Sequence, residues 1–295
     1  MKTYQALIKR ELLEHRGAFL YAPVILLAAL FLLTITGLVF EDPDISISSN
    51  VGLAGKQLYQ IALAGVFALW SAYLLIALFF YFADSFSADR RNNSLLFWKS
   101  MPQSDLKVLT SKALAGITIF PALLLAFAMI TGLLVYLVSF LVVAKMPYIS
   151  MVGPIDMLSS WIQMGVAGLV FFVLNILWYA PLLGWVAGLS TLFQRWSIPL
   201  AFLIPGAVVL VERLTNLGAV NPSQPFADLI AYRLDSSMLD ENVVVKMLTS
   251  DGFSAFGLIA EMTGALNWFD MAVGLAFASV VVFLASEYRR RRIDA

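Results

Sequence analysis

The stretch Asp84-Ser-Phe-Ser-Ala-Asp-Arg-Arg-Asn-Asn-Ser-Leu-Leu-Phe-Trp-Lys-Ser-Met-Pro-Gln-Ser-Asp-Leu-Lys-Val-Leu-Thr-Ser-Lys112 is a charged island between two uncharged apolar runs, Leu58 to Phe82 and Ala113 to Ala144. Each run is longer than the roughly 20 residues a helix needs to cross about 30 Å of hydrocarbon. A plain turn between two crossings needs only a few polar residues. This one carries Arg90, Arg91, Lys99, Lys107 and Lys112 around a compact apolar knot, Leu95-Leu96-Phe97-Trp98. A loop of that make-up suits contact with another protein.

The same imbalance extends outward over the whole chain. Of 295 residues, 61% are hydrophobic and 13% charged, and the mean hydropathy is +0.86. A soluble domain is about half apolar and a quarter charged, so the composition is that of an integral membrane protein. The apolar runs predict an all-α fold with six transmembrane helices at 19–40, 58–82, 113–144, 158–194, 196–213 and 266–287. The longest runs exceed a bilayer and are expected to tilt or protrude. No internal repeat or soluble insert is evident, so residues 1–295 read as one membrane domain. The first apolar run is too long for a signal-peptide core and is followed by Glu41-Asp42-Pro43-Asp44, so no cleavable signal is expected.

Lysine and arginine placement orients the chain. An even number of spans puts both termini and the 84–112 island on one side, which then holds 14 of the 19 basic residues. That side is expected to be the cytoplasm. The acids Glu41, Asp42 and Asp44, and most of those between 212 and 266, fall on the other side.

Residues 3–17 predict an amphipathic helix on the inner membrane face. Tyr4, Ile8 and Leu12 recur on one stripe beside Leu7 and Leu13, with Lys9, Arg10, Glu11 and Glu14 largely opposite. Within the island, Asn93 tolerates a left-handed turn and Ser94 is a good helix cap. A short helix from Leu95 to about Met101 would end before Pro102. It would present Leu96, Phe97 and Trp98 either to a partner protein or to lipid at the interface, where such aromatics are common. Ser104, followed by Asp105, supplies a second cap for the next helix. The 214–265 segment holds apolar pieces too short to span, which suits re-entrant or interfacial helices on the outer face as well as an ordinary loop.

Polar groups inside the spans are few. Asn175 is expected to bond a neighbouring helix or line a path, and Gly184 with Gly188 has the spacing of a helix-packing stripe. Pro121, Pro181 and Pro205 predict kinks. No charge sits mid-span, which disfavours a buried proton or ion relay.

Function classes drop out in turn. The chain has no cysteine and a single histidine, His15, so thiolate sites and histidine-ligated metals are not expected. The phosphate-loop pattern is absent, Gly55-Lys56-Gln57 failing it, and so is His-Glu-x-x-His. No enzyme chemistry and no nucleic-acid binding are expected of this chain.

The island resembles the first cytoplasmic loop of ABC-2 type permeases, the membrane subunits of one class of ABC exporter. The resemblance rests on Arg90 and Arg91, Asn93-Ser94, Leu95 to Trp98, Pro102 with Ser104, and Lys112. The amphipathic N-terminal segment, the six runs and the long segment after the short Trp196 run also fit that family. Many relatives have Gly-Thr where this chain has Asn93-Ser94, and a Glu in the short helix where this chain is apolar. The resemblance implies that the short helix is a coupling helix seated in a groove of a separate ATP-binding cassette subunit, two copies of which bind ATP and Mg. No cofactor is then expected on this chain. Arg90, Arg91, Asn93, Ser94, Leu96, Phe97, Trp98, Lys99 and Pro102 would make that contact, with Phe97 or Trp98 as the anchor. It further implies a homodimer, or a pairing with a close relative, in which helices two and five line a path. Ser71, Tyr73 and Phe202, with Asn175, are then candidate path residues. A secondary carrier and a non-transporting scaffold or sensor subunit are the alternative readings.

Overall fold

The computed structural model describes residues 2–40, 55–91, 104–146, 149–217, 223–235 and 254–291. The short helix expected at 95–101 lies outside the described residues, as do 218–222 and 236–253 of the outer segment.

Among the described residues every regular element is helical. The chain runs α1 (Lys2–Glu14), a π-helical turn (Gly17–Tyr21), α2 (Ala22–Phe40), α3 (Gly55–Arg91) and α4 (Asp105–Leu114). A second π-helical turn (Ala115–Ile119) leads to α5 (Phe120–Lys145), followed by α6 (Pro154–Phe193), a 3₁₀ turn (Gln194–Trp196) and α7 (Ser197–Thr215). The remaining helices are α8 (Pro225–Leu234), α9 (Ala255–Ala265) and α10 (Trp268–Arg291).

Local chemistry accounts for many of these boundaries. Ser104 caps α4, its side chain accepting the Lys107 N–H. Pro154 opens α6 at its first turn, where the missing N–H costs nothing. Both π-helical turns end two residues before a proline, Pro23 and Pro121, so a widened turn precedes the missing donor in each case. Pro181 and Pro205 remain inside α6 and α7. At Gln194 the backbone takes φ 52°, a conformation side chains rarely adopt, and the chain turns sharply from α6 into α7. The Glu212 carboxylate near the end of α7 accepts the Phe226 and Ala227 N–H groups at 2.8 and 3.0 Å, fixing the start of α8.

Among the described residues, five helical stretches are long and apolar enough to cross a membrane: Gly17–Phe40, Gly55–Ala88, Leu106–Lys145, Pro154–Thr215 and Trp268–Arg291. The fourth is 62 residues long and contains the Gln194 turn, so it holds both the 158–194 and the 196–213 runs. The architecture is that of an all-α, multi-pass membrane protein.

The core is the seam between α3 and α6, with α5 and α10 packed alongside. Trp70, Leu63, Leu74 and Phe86 of α3 are fully buried there, as is Phe172 of α6. Hydrogen bonds join the helices through the apolar zone. Gln60 Nε2 donates to Ser160 Oγ at 3.1 Å, Trp70 Nε1 to Thr131 Oγ1 at 3.0 Å, and Trp161 Nε1 to the Met129 carbonyl at 2.9 Å. Gly184 and Gly188 let α10 lie close against α6. A Cβ at Gly184 would stand 2.9 Å from Ala278 Cα, and one at Gly188 would stand 2.6 Å from Val281 Cγ1. Much of the outer surface remains apolar, α2 above all, where Ile25, Leu32, Leu33 and Phe40 are exposed. In water such a surface would be a liability, whereas in a bilayer it faces its own solvent.

Candidate functional site: the polar frame around the island

Helix α3 does not stop where its apolar run ends. It continues from Phe82 through the charged residues to Arg91, because nothing between them breaks a helix. Arg90 and Arg91 therefore stand on its last turn, and α4 starts beyond Ser104. Asn93, Ser94, Leu96, Phe97, Trp98, Lys99 and Pro102 lie outside the described residues.

The two flanks of the island are tied into one buried polar frame. Lys112 of α4 and Glu11 of α1 form an ion pair, Nζ to Oε1 3.2 Å, with side chains only 1% and 4% exposed. The Tyr81 hydroxyl of α3 donates toward the other Glu11 oxygen, at 3.1 Å, and toward the Lys112 carbonyl, at 2.9 Å. His15 lies 3.7 Å from Glu11 and stands edge-on to the Tyr81 ring at 4.7 Å. Burial holds the His15 imidazole below its usual pKa, against the upward pull of Glu11. His15 is thus neutral at physiological pH, and the ammonium of Lys112 is the charge that balances Glu11. Glu11, Glu14 and His15 also place three donor atoms within 4.8 Å of one another, with the Lys112 cation beside them.

Beneath this cluster, Phe19 stacks on Phe120 with ring centres 3.7 Å apart, joining the first π-helical turn to the start of α5. Two further bonds brace the end of α3 from other helices. Ser197 Oγ, opening α7, donates to the Ala83 carbonyl at 3.0 Å. The buried Arg289 of α10 donates through Nη1 to the Phe86 carbonyl at 3.4 Å. Movement at either root of the island is thereby shared by α1, α3, α4, α7 and α10.

Reading α1 as a simple amphipathic helix missed half of this. Glu11 was expected on the polar face, yet it is buried with Leu7 along one edge of the helix, while Leu13 is exposed. The signal was present as the i, i+4, i+8 series Leu7, Glu11, His15, an acid and a histidine in register with an apolar residue.

The four path candidates do not share one cavity. Ser71 is buried within the bundle. Asn175 is buried too, donating to the Phe171 carbonyl of its own helix at 2.8 Å. Tyr73 donates to the Ala18 carbonyl at 2.5 Å, so it links α3 to the first π-helical turn. Phe202 of α7 is 65% exposed and packs on Phe79 of α3 at 5.6 Å between ring centres. Ile76 and Phe80 of α3, with Leu203 of α7, are exposed as well. Comparison with protein-family models, with curated proteins and with solved structures gave no match for this chain.

Proposed function

We propose that this chain is the membrane-spanning permease subunit of an ATP-driven exporter in the cytoplasmic membrane of a prokaryote. It crosses six times, α6 and α7 counting separately on either side of the Gln194 turn, with both termini in the cytoplasm. ATP and Mg are handled by a separate ATP-binding cassette subunit, two copies per transporter. The 84–112 island docks in a groove of that subunit through Phe97 and Trp98, helped by Arg90, Arg91 and Lys99. Two copies of this chain face each other across α3 and α7, where Tyr73 and Phe202 are the path residues of choice.

The observation that carries this reading is the make-up of the island together with the way both of its roots are clamped. A loop that only dipped into lipid would need no buried ion pair behind it. A loop that transmits force needs roots that cannot yield independently, and the Glu11–Lys112–Tyr81 cluster with the Arg289 brace supplies them. Packed elements joined in this way move as units between discrete arrangements.

The test is reconstitution. Vesicles carrying this chain are expected to recruit a purified cognate ATP-binding cassette subunit and to move a fluorescent amphipathic peptide across the bilayer only when ATP is hydrolysed. Peptide movement driven by an ion gradient without that subunit would replace the proposal with a secondary carrier. Recruitment with no ATP-dependent movement would leave a scaffold.

A further inference from the structure

Between α6, α7, α8 and α10 lies a cavity of about 520 Å³, within the range of about 300–1,000 Å³ typical of small-molecule sites. Its walls are apolar, including Pro181, Trp185, Ile204, Leu229 and Phe277, and a single charged residue, Arg233 of α8, stands at one end. Val208, Leu229 and Phe277 line the cavity and are also exposed, so one flank opens onto the apolar surface of the bundle.

Arg233 is held but not saturated. Its guanidinium stacks 4.7 Å from the centre of the Trp178 ring, and Nη2 donates to the Asp270 carbonyl. Nη1 is buried and has no hydrogen-bond partner among the described residues. The nearby Asp270 carboxylate accepts instead from the Tyr232 hydroxyl at 2.9 Å. A buried cationic donor without an acceptor is costly, and the planar guanidinium fork matches a phosphate.

Along α10, Asp270 and the buried Arg289 are separated by about 28 Å at helical rise. Trp178, Tyr179 and Tyr232 gather around Arg233. The cavity runs from there toward the Arg289 end of the bundle, Trp185 and Phe277 lying about 10 Å beyond Trp178 and Asp270 at helical rise.

The geometry points to a binding site for an anionic phospholipid, with its phosphate on Arg233 Nη1, one acyl chain in the cavity and the second on the open apolar flank. A zwitterionic choline lipid fits less well, because its ammonium would be a second cation beside Arg233. The site is independent of the exporter reading and would stand if that reading fell.

Native mass spectrometry of the purified full chain, offered equal phosphatidylglycerol, phosphatidylcholine and oleate, tests it. One phosphatidylglycerol per chain should be retained, and Arg233→Gln should weaken its retention about tenfold or more. Val208→Trp, which fills the cavity and leaves Arg233 in place, should do the same while melting as cooperatively as the parent. Retention by either variant equal to the parent's overturns the proposal. So does equal retention of phosphatidylcholine, and so does oleate taking the site in place of the phospholipid.

Discussion

Glu11→Gln is expected to lower the stability of the purified chain by about 3 kcal/mol, since removing one partner of a buried ion pair leaves the other charge in a low-dielectric site. The Lys112 ammonium and the Glu11 carboxylate are almost wholly enclosed, so solvent screening offers little relief. Thermal unfolding in detergent reads the effect. Glu11→Leu combined with Lys112→Met should recover most of the loss, because apolar residues of similar size replace a buried pair at little cost. Additive losses in the double variant would mean that the two side chains do not act as a pair. The Tyr81 hydroxyl bridges both partners, so the expected unfolding involves α1 leaving the roots of α3 and α4 together.

Trp98→Asp is expected to leave that stability unchanged and to weaken docking of the proposed ATP-binding cassette subunit. Buried aromatic anchors dominate interfaces of this kind, and a carboxylate placed in an apolar groove adds a desolvation cost, so binding should weaken by about tenfold or more. Phe97→Ala should act in the same direction and more weakly. A pull-down with the ATPase subunit in detergent separates the two variants from the parent. Loss of docking without loss of stability is the signature of a contact residue.

The membrane-spanning character of the fold was readable directly, since it rests on runs of uncharged residues and needs no knowledge of neighbours. Ser104 as a cap and Gly184 with Gly188 as a packing stripe were readable for a similar reason, each being a local pattern with a local cause. The end of α3 was not. Charge at Asp84 marks the end of an apolar run, but a helix ends where its backbone bonds end, and residues 83–91 contain neither Gly nor Pro. Glu11 was misjudged because a lone acid on a short helix reads as solvated until its partner is known. That partner, Lys112, lies on a different helix far along the chain. Arg233 escaped notice for the same reason: the 214–265 segment reads as short outer helices or as loop, and only the folded bundle sets Arg233 between α6 and α10.

The account as a whole depends on the island lying beneath the bilayer and seating on a separate ATPase. The chain has no cysteine, so Ser100→Cys, which leaves Phe97 and Trp98 in place, creates a single labelling site without background. In sealed, right-side-out vesicles a membrane-impermeant maleimide should fail to reach that cysteine, label it once the vesicles are opened, and be blocked again when the ATP-binding cassette subunit is added. Labelling in the sealed vesicles, or labelling that the added subunit does nothing to slow, contradicts it.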